Sequence, residues 1–455
     1  MMSNHKEQTG VPSPCIKLCE DVQVVDEADI CVLGGSCTGV FAAVRAARLG
    51  ARVIIVEKQN HFGGVAAATC TWHNLLDTVC EKQIIAGLTQ EIIKRLQQRD
   101  AVTVIDMNES KGFEFRPGEL KIILDEMVVQ SGITPYLHTL FCCPLIEEGH
   151  LRGVVIENKS GRGIIKARMF VDATGDGDLC SRLGLPEYRY EALLPPTTCA
   201  FIDQWSLTEN VDLGAEIRKY GKEHGLESGF VWGSVLPQTD IFMLAGTRVC
   251  NVDCSNASDL TRAEIEGRRQ VKAIMELLRA RRPELKARLH DFPSSIGIRD
   301  TRHIKCQYQL LGSDVLEGKR FADAIANGSY RVDTHHQDKA GITFMYLDGR
   351  IVYVQPGLPA ENGRWRESTG TAPTFYQVPL RSLIPGQFDN LILAGRMLDA
   401  DKTAFSAVRV MVNTNQMGEA AGVAAYLALS EGTAVEMVAA GKVRSILAKG
   451  GSIVL

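Results

Sequence analysis

The segment Gly34-Gly35-Ser36-Cys37-Thr38-Gly39, with the acidic Glu57 downstream, has the residue types and spacing to hold a pyrophosphate. The leading glycine of such a loop permits a tight turn, and the last lets a helix pack closely on a strand. The helix start then presents free N–H groups and a positive dipole end to phosphate. Gly34, Ser36, Cys37, Thr38 and Gly39 are therefore the expected phosphate-loop residues. Glu57, followed by Lys58, stands where a carboxylate would accept hydrogen bonds from adenosine ribose hydroxyls and repel a 2′-phosphate. Ser36 replaces the middle glycine of the G-x-G-x-x-G pattern, which restricts how closely the backbone approaches a phosphate. Proton chemistry has other candidates. His335 and His336 are adjacent, so on an extended backbone their rings point to opposite sides and one of them faces a site. Arg299 and Arg302 would share a face on a helix and clamp a carboxylate, but not on a strand. Arg409 adds a positive charge near the start of the last long helical segment. Cys15/Cys19 and Cys250/Cys254 lack the second pair or nearby histidine of a metal site, so no metal is expected.

These groups need elements to position them. Residues 28–34 read as a buried parallel strand, 38–49 as a helix ending at Gly50, and 52–56 as a second strand, together one βαβ unit. Helices are expected over 83–98, 117–131, 261–283 and 405–429. Residues 137–171 read as an antiparallel meander returning to a buried strand, with 164–167 and 169–171 as separate strands, and 390–395 as a further apolar strand. The expected fold is α/β. It consists of an N-terminal extension (1–25), a Rossmann-like nucleotide-binding domain in two parts (26–180 and 386–455) and an inserted α+β substrate domain (181–385).

Several further segments narrow the nucleotide. They are Gly63-Gly64, Phe170-Val171-Asp172-Ala173-Thr174-Gly175-Asp176-Gly177-Asp178, and Leu391-Ile392-Leu393-Ala394-Gly395-Arg396 followed by Asp399 and Asp401. In the middle lie Gly297-Ile298-Arg299-Asp300-Thr301-Arg302, Asp333-Thr334-His335-His336 and Tyr376-Gln377-Val378-Pro379-Leu380-Arg381-Ser382-Leu383. Together they resemble the FAD-dependent oxidoreductase family of the glutathione-reductase-like flavoprotein class, related to the fumarate reductase and succinate dehydrogenase flavoproteins, over about residues 26–430. The resemblance implies a bound FAD. It further implies that Gly63 and Gly64 pass close to the flavin and that Thr174, Gly175 and Asp176 turn beside the adenosine half. Gly395 would end a strand at the cofactor, and Asp401, in preference to Asp399, would reach the ribityl chain or pyrophosphate. The start of the 405–429 helix would point its positive end at flavin N1 and O2. Cys70, Trp72 and His73 would line the ring without a covalent link, and the cysteine pair of the disulfide reductases is missing.

Composition sets the outer limits. Of 455 residues, 45% are hydrophobic and 23% charged, which is globular usage. The net charge of −4 leaves no positive excess to hold nucleic acid, and no apolar run is long enough to span a membrane. Thirteen cysteines without a signal peptide point to reduced thiols and a cytoplasmic location. The expected activity is hydride transfer between a small hydroxylated substrate and flavin N5. The alternatives are reduction of an activated C=C bond and a non-catalytic flavin-binding role. No second nucleotide loop is found, so the electron acceptor stays open, as does homo-oligomerisation.

Overall fold

The computed structural model describes residues 19–455, apart from 107–110, 206–210, 228–229, 285, 369 and 371. Cys15 and most of the expected N-terminal extension lie outside the described residues. The first strand begins at Gln23 and runs to Leu33, starting inside the segment expected as extension. Its last residues and the whole of Val53–Val56 are buried, as in strands covered on both faces. The helix Cys37–Arg48 connects them. The main sheet continues outward through Thr134–Tyr136 on one side and Gly161–Asp172 on the other, all parallel.

Gly161–Asp172 is one 12-residue strand, not the two short strands expected from sequence. It forks the sheet. Its first half pairs antiparallel with His150–Asn158 and so with the meander strand Leu140–Glu147. Its last three residues pair parallel with Leu391–Leu393. Distant parts of the chain thus share one sheet, and the turns after Leu33, Asp172 and Leu393 emerge at the same edge.

The helix expected over 405–429 is two helices, Lys402–Val408 and Met411–Glu431. Val410 is extended between them (φ −64°, ψ 145°), and Arg409 turns aside to Asp333. The break creates a second helix start with no side-chain cap. Met411–Glu431 is buried along nearly its whole length and crosses Cys37–Arg48 backbone to backbone. A Cβ on Gly418 would lie 2.1 Å from the Thr38 carbonyl oxygen, and one on Gly422 would lie 2.2 Å from that of Ala42. Only glycine fits at those crossings.

The middle of the chain forms separate antiparallel sheets, among them Cys199–Asp203 with its neighbours and Val332–His335 with Ile342–Met345. A second apolar core lies under the helix Ala257–Arg281, which starts four residues earlier than expected because Asn256 caps it.

Candidate functional site

Gly34 turns with φ +101°, and a Cβ there would lie 2.3 Å from the Ala173 carbonyl oxygen. The first loop therefore rests directly on the Ala173–Gly177 turn. Ser36 starts the helix Cys37–Arg48 but makes no side-chain cap, so the first N–H groups are left for a ligand or water. Gly63 donates its N–H to the Gly35 carbonyl (2.9 Å), and Cys37 Sγ lies 3.7 Å from the Gly63 carbonyl. Burial pushes that thiol up to about 12, so it is a neutral packing group. Gly64, with φ +54°, lies against Ser36. The Glu57 carboxylate is buried at the strand end, accepting from Gly35 N–H (2.5 Å) with one oxygen and from Gln59 N–H (2.7 Å) with the other. Each oxygen keeps a lone pair for a further donor. Lys58 is exposed, and its charge is felt at Asp178.

Asp172, fully buried, organises the second turn by accepting from Thr174 N–H, the Thr174 hydroxyl and Cys180 N–H. This residue was quoted in the motif but given no role. Its signal was an acidic residue at a strand end just before a glycine turn. Thr174 and Asp176, expected to turn beside the adenosine half of the cofactor, direct their side chains to protein groups. The Thr174 hydroxyl also accepts from Asp178 N–H (2.9 Å), and Asp176 accepts from Thr301 (2.7 Å) and Arg396 (2.8 Å). Gly175, with φ +85°, leaves room for the Arg396 guanidinium. Asp178 is raised to about 6 by burial and by its neighbours Asp176 and Asp172. Gly395 has φ +124°, and a Cβ there would lie in ordinary contact with Met397 Sδ at 3.6 Å. Asp401 differs most from expectation. One oxygen caps Lys402–Val408 at Ala404 N–H (2.8 Å), and the other accepts from Gly312 N–H (2.7 Å). Asp399 is likewise engaged, by Tyr188 and Cys306.

A second cluster gathers three of the expected catalytic residues from separate segments. Asp333 and His335 alternate on Val332–His335 and share a face. Asp333 Oδ2 accepts from the Tyr330 hydroxyl and Arg409 Nη2 (3.0 Å each), while Oδ1 lies 3.3 Å from His335 Nε2. Arg299 donates to the Pro195 carbonyl (2.6 Å) and to the Thr197 hydroxyl. Burial and then the Arg299 charge hold His335 down to about 4, so its imidazole is neutral near pH 7. Burial and then Arg409 bring Arg299 down to about 10. Burial opposes the charge on Asp333, but His335 and Arg409 outweigh it and keep the carboxyl well below the usual range. His73 stacks on Tyr330 (6.0 Å) and meets Trp232 edge-on (6.3 Å). Sequence reasoning gave Asp333 and Tyr330 no role. The Asp-x-His alternation on a strand was the available signal.

His336 and Arg302 are placed elsewhere. His336 Nε2 meets the Thr343 hydroxyl (2.7 Å) on the opposite side of the strand, as the period of two requires. Arg302 donates to the Ser255 carbonyl (3.2 Å) and sits near Asp178 (3.8 Å). Neither Arg299 nor Arg302 is on a helix or strand, so the shared helical face never arises.

A parallel sheet whose first turn leads into an uncapped helix, beside two further glycine turns, is the architecture of a dinucleotide-binding protein. The family model of FAD dependent oxidoreductases matches residues 29–447, and the chain belongs to that family. It is an FAD-dependent oxidoreductase, and FAD is its cofactor. The comparison with curated proteins gives no match. Among solved structures, it is similar to a geranylgeranyl bacteriochlorophyll reductase-like protein from Thermoplasma acidophilum. That pair shares 11% identity with a TM-score of 0.46, covering 94% of this chain and 82% of that one. It is also similar to the glycerol-3-phosphate dehydrogenase from Bacillus halodurans complexed with FAD (17% identity, TM-score 0.39, covering 62% and 58%). A third is Thermovibrio ammonificans THI4 (20% identity, TM-score 0.28, covering 35% and 64%). The chain's own residues fit FAD: a side chain at Gly34 or Gly39 would strike loop backbone, and the N–H groups behind Ser36 carry no side-chain cap. No helix among the described residues is long and apolar enough to cross a membrane.

Proposed function

We propose that the enzyme transfers a hydride between a small hydroxylated substrate and flavin N5, with His335 taking the hydroxyl proton. When bound, FAD supplies the two-electron acceptor. The backbone of Gly34, Ser36, Cys37, Thr38 and Gly39 would hold its phosphates, and Glu57 a ribose hydroxyl. Gly63, Gly64, Gly175 and Gly395 would admit it closely, and the uncapped start of Met411–Glu431 would present a positive helix end to it. The observation that carries this reading is the neutral His335 held between Asp333 and two arginines. With Nε2–H directed at Asp333, Nδ1 is left basic and can receive a proton. Arg299 and Arg409 then orient the substrate oxygen and stabilise negative charge on it. His73, Tyr330 and Trp232 form an aromatic wall that limits water.

The test is anaerobic loss of the flavin absorbance band on mixing holoenzyme with polyols, sugars and 2-hydroxy acids. Bleaching by one of these classes, abolished in His335→Gln, is the expected result. A second reading, reduction of an activated C=C bond, is favoured by Arg299, whose guanidinium at about 10 is a readier proton donor than a solvated one. Reoxidation of the reduced flavin by an enoate, with no bleaching by any alcohol, would establish that reading and overturn the first.

A further inference from the structure

Away from the arginine–histidine cluster lies a cavity of about 460 Å³, of the size that takes a small organic ligand. Its floor is the Gly64–Ala68 segment, and Phe201, Leu236, Ile241 and Phe292 make its apolar walls. Its charged lining residues are Arg116, Glu119 and Lys121 on one segment and Asp291 on another. The helix Pro117–Gln130 begins there with no side-chain cap, so its positive end opens on the cavity. Arg116 precedes it and Lys121 follows in its second turn, both lining the cavity, and among the described residues neither forms an ion pair with a carboxylate. Arg116 Nε is buried without a hydrogen-bond partner, although Nη2 donates to the Arg99 carbonyl (3.0 Å). Of the two acidic lining residues, Glu119 is already paired with Arg99 (3.2 Å), and one oxygen of Asp291 accepts from Phe292 N–H (2.7 Å). His61 is held by the Phe62 carbonyl and Ser294, and burial, with the Lys121 charge added, lowers its pKa.

Two cations, Arg116 and Lys121, and a helix start, all at one end of a largely apolar cavity, call for one kind of ligand. We propose that this cavity is a second binding site, taking a small apolar molecule that carries one acidic group, carboxylate or sulfonate. The acid sits at Arg116, Lys121 and the helix start, and the apolar body lies against Phe201, Leu236 and Ile241. This site is independent of the chemistry assigned to His335.

The probe is 8-anilinonaphthalene-1-sulfonate, titrated by fluorescence into the FAD-loaded enzyme, with the uncharged N-phenyl-1-naphthylamine as its partner. Saturable binding of the sulfonate at least about tenfold tighter than the neutral compound is expected. That preference should be lost in Lys121→Glu, and sulfonate binding should be lost in Ile241→Trp, which fills the cavity from the side away from the nucleotide loop. Flavin content and far-ultraviolet circular dichroism report whether each variant is folded. Equal binding of the two compounds, or sulfonate binding unchanged in both folded variants, would overturn the proposal.

Discussion

In the proposed reaction His335 acts as an uncharged imidazole, held so by burial and then by Arg299. Replacing it with glutamine preserves polarity and approximate size but removes the basic nitrogen. The expected outcome is a fall in kcat of about 10²–10⁴-fold with flavin content unchanged, measured by stopped-flow flavin reduction against the cofactor absorbance of the purified variant. The pH profile carries the same signature. The neutral imidazole is the active form and titrates near 4, so kcat/KM should be level above about pH 5 and fall as pH drops through about 4. In His335→Gln that acidic limb should vanish. Residue types made Arg299, His335 and Arg409 visible as candidates, but not their convergence, since they come from a loop, a strand and a helix break. Arg302 and His336 were equally eligible by type. A loop path took one away, and strand alternation took the other.

At the scale of elements, the βαβ unit was legible because its signals are short-range: two β-branched runs, a glycine turn and a helix between them. The break at Arg409–Val410 was not. Nothing in that stretch is a proline or a glycine, and Arg409 at the break pairs with Asp333 from a distant strand. Close crossing of the two central helices is likewise a tertiary fact, written in Gly418 and Gly422 only in retrospect. Gly418→Val would drive a side chain into the Thr38 carbonyl oxygen, 2.1 Å from the Cβ position, right behind the phosphate loop. A loss of about 1–3 kcal/mol is expected, read as a lower urea midpoint, together with weaker FAD retention on dialysis.

Across the whole molecule, the two ends of the chain are clamped by a buried ion pair. Arg45 Nε donates to Glu419 Oε2 (2.7 Å), and Glu419 also accepts from Leu88 N–H and Ser452. Arg45→Met would strand the Glu419 charge, at a cost of about 3–5 kcal/mol in urea unfolding. Arg45→Met combined with Glu419→Leu should recover much of that loss. Stability should also depend on pH in a defined direction. His73 and His335 are both held near 4 when folded, against about 6.5 in an unfolded chain. The unfolded state therefore binds more protons between those values. This contribution is complete above about pH 6.5 and is lost as pH falls through about 4, up to about 3 kcal/mol per histidine. Thermal melts of the holoenzyme across that range measure it.

By itself the sequence determined the βαβ unit with its glycine loop, because such a loop is built from neighbours in the chain and its glycines and helix start are local necessities. It also placed turns at Gly175 and Gly395, since each follows an apolar strand run, and both glycines take a positive φ. The tertiary structure alone decided how the carboxylates are engaged. Asp176 and Asp401 look alike in sequence, yet one Asp176 oxygen accepts from both Thr301 and Arg396, while each Asp401 oxygen accepts a single backbone N–H. It alone decided the chemistry of the second cluster too. Burial and the nearby Arg299 guanidinium lower the pKa of the His335 imidazole to about 4, and those groups are brought together by packing, not by adjacency in the chain.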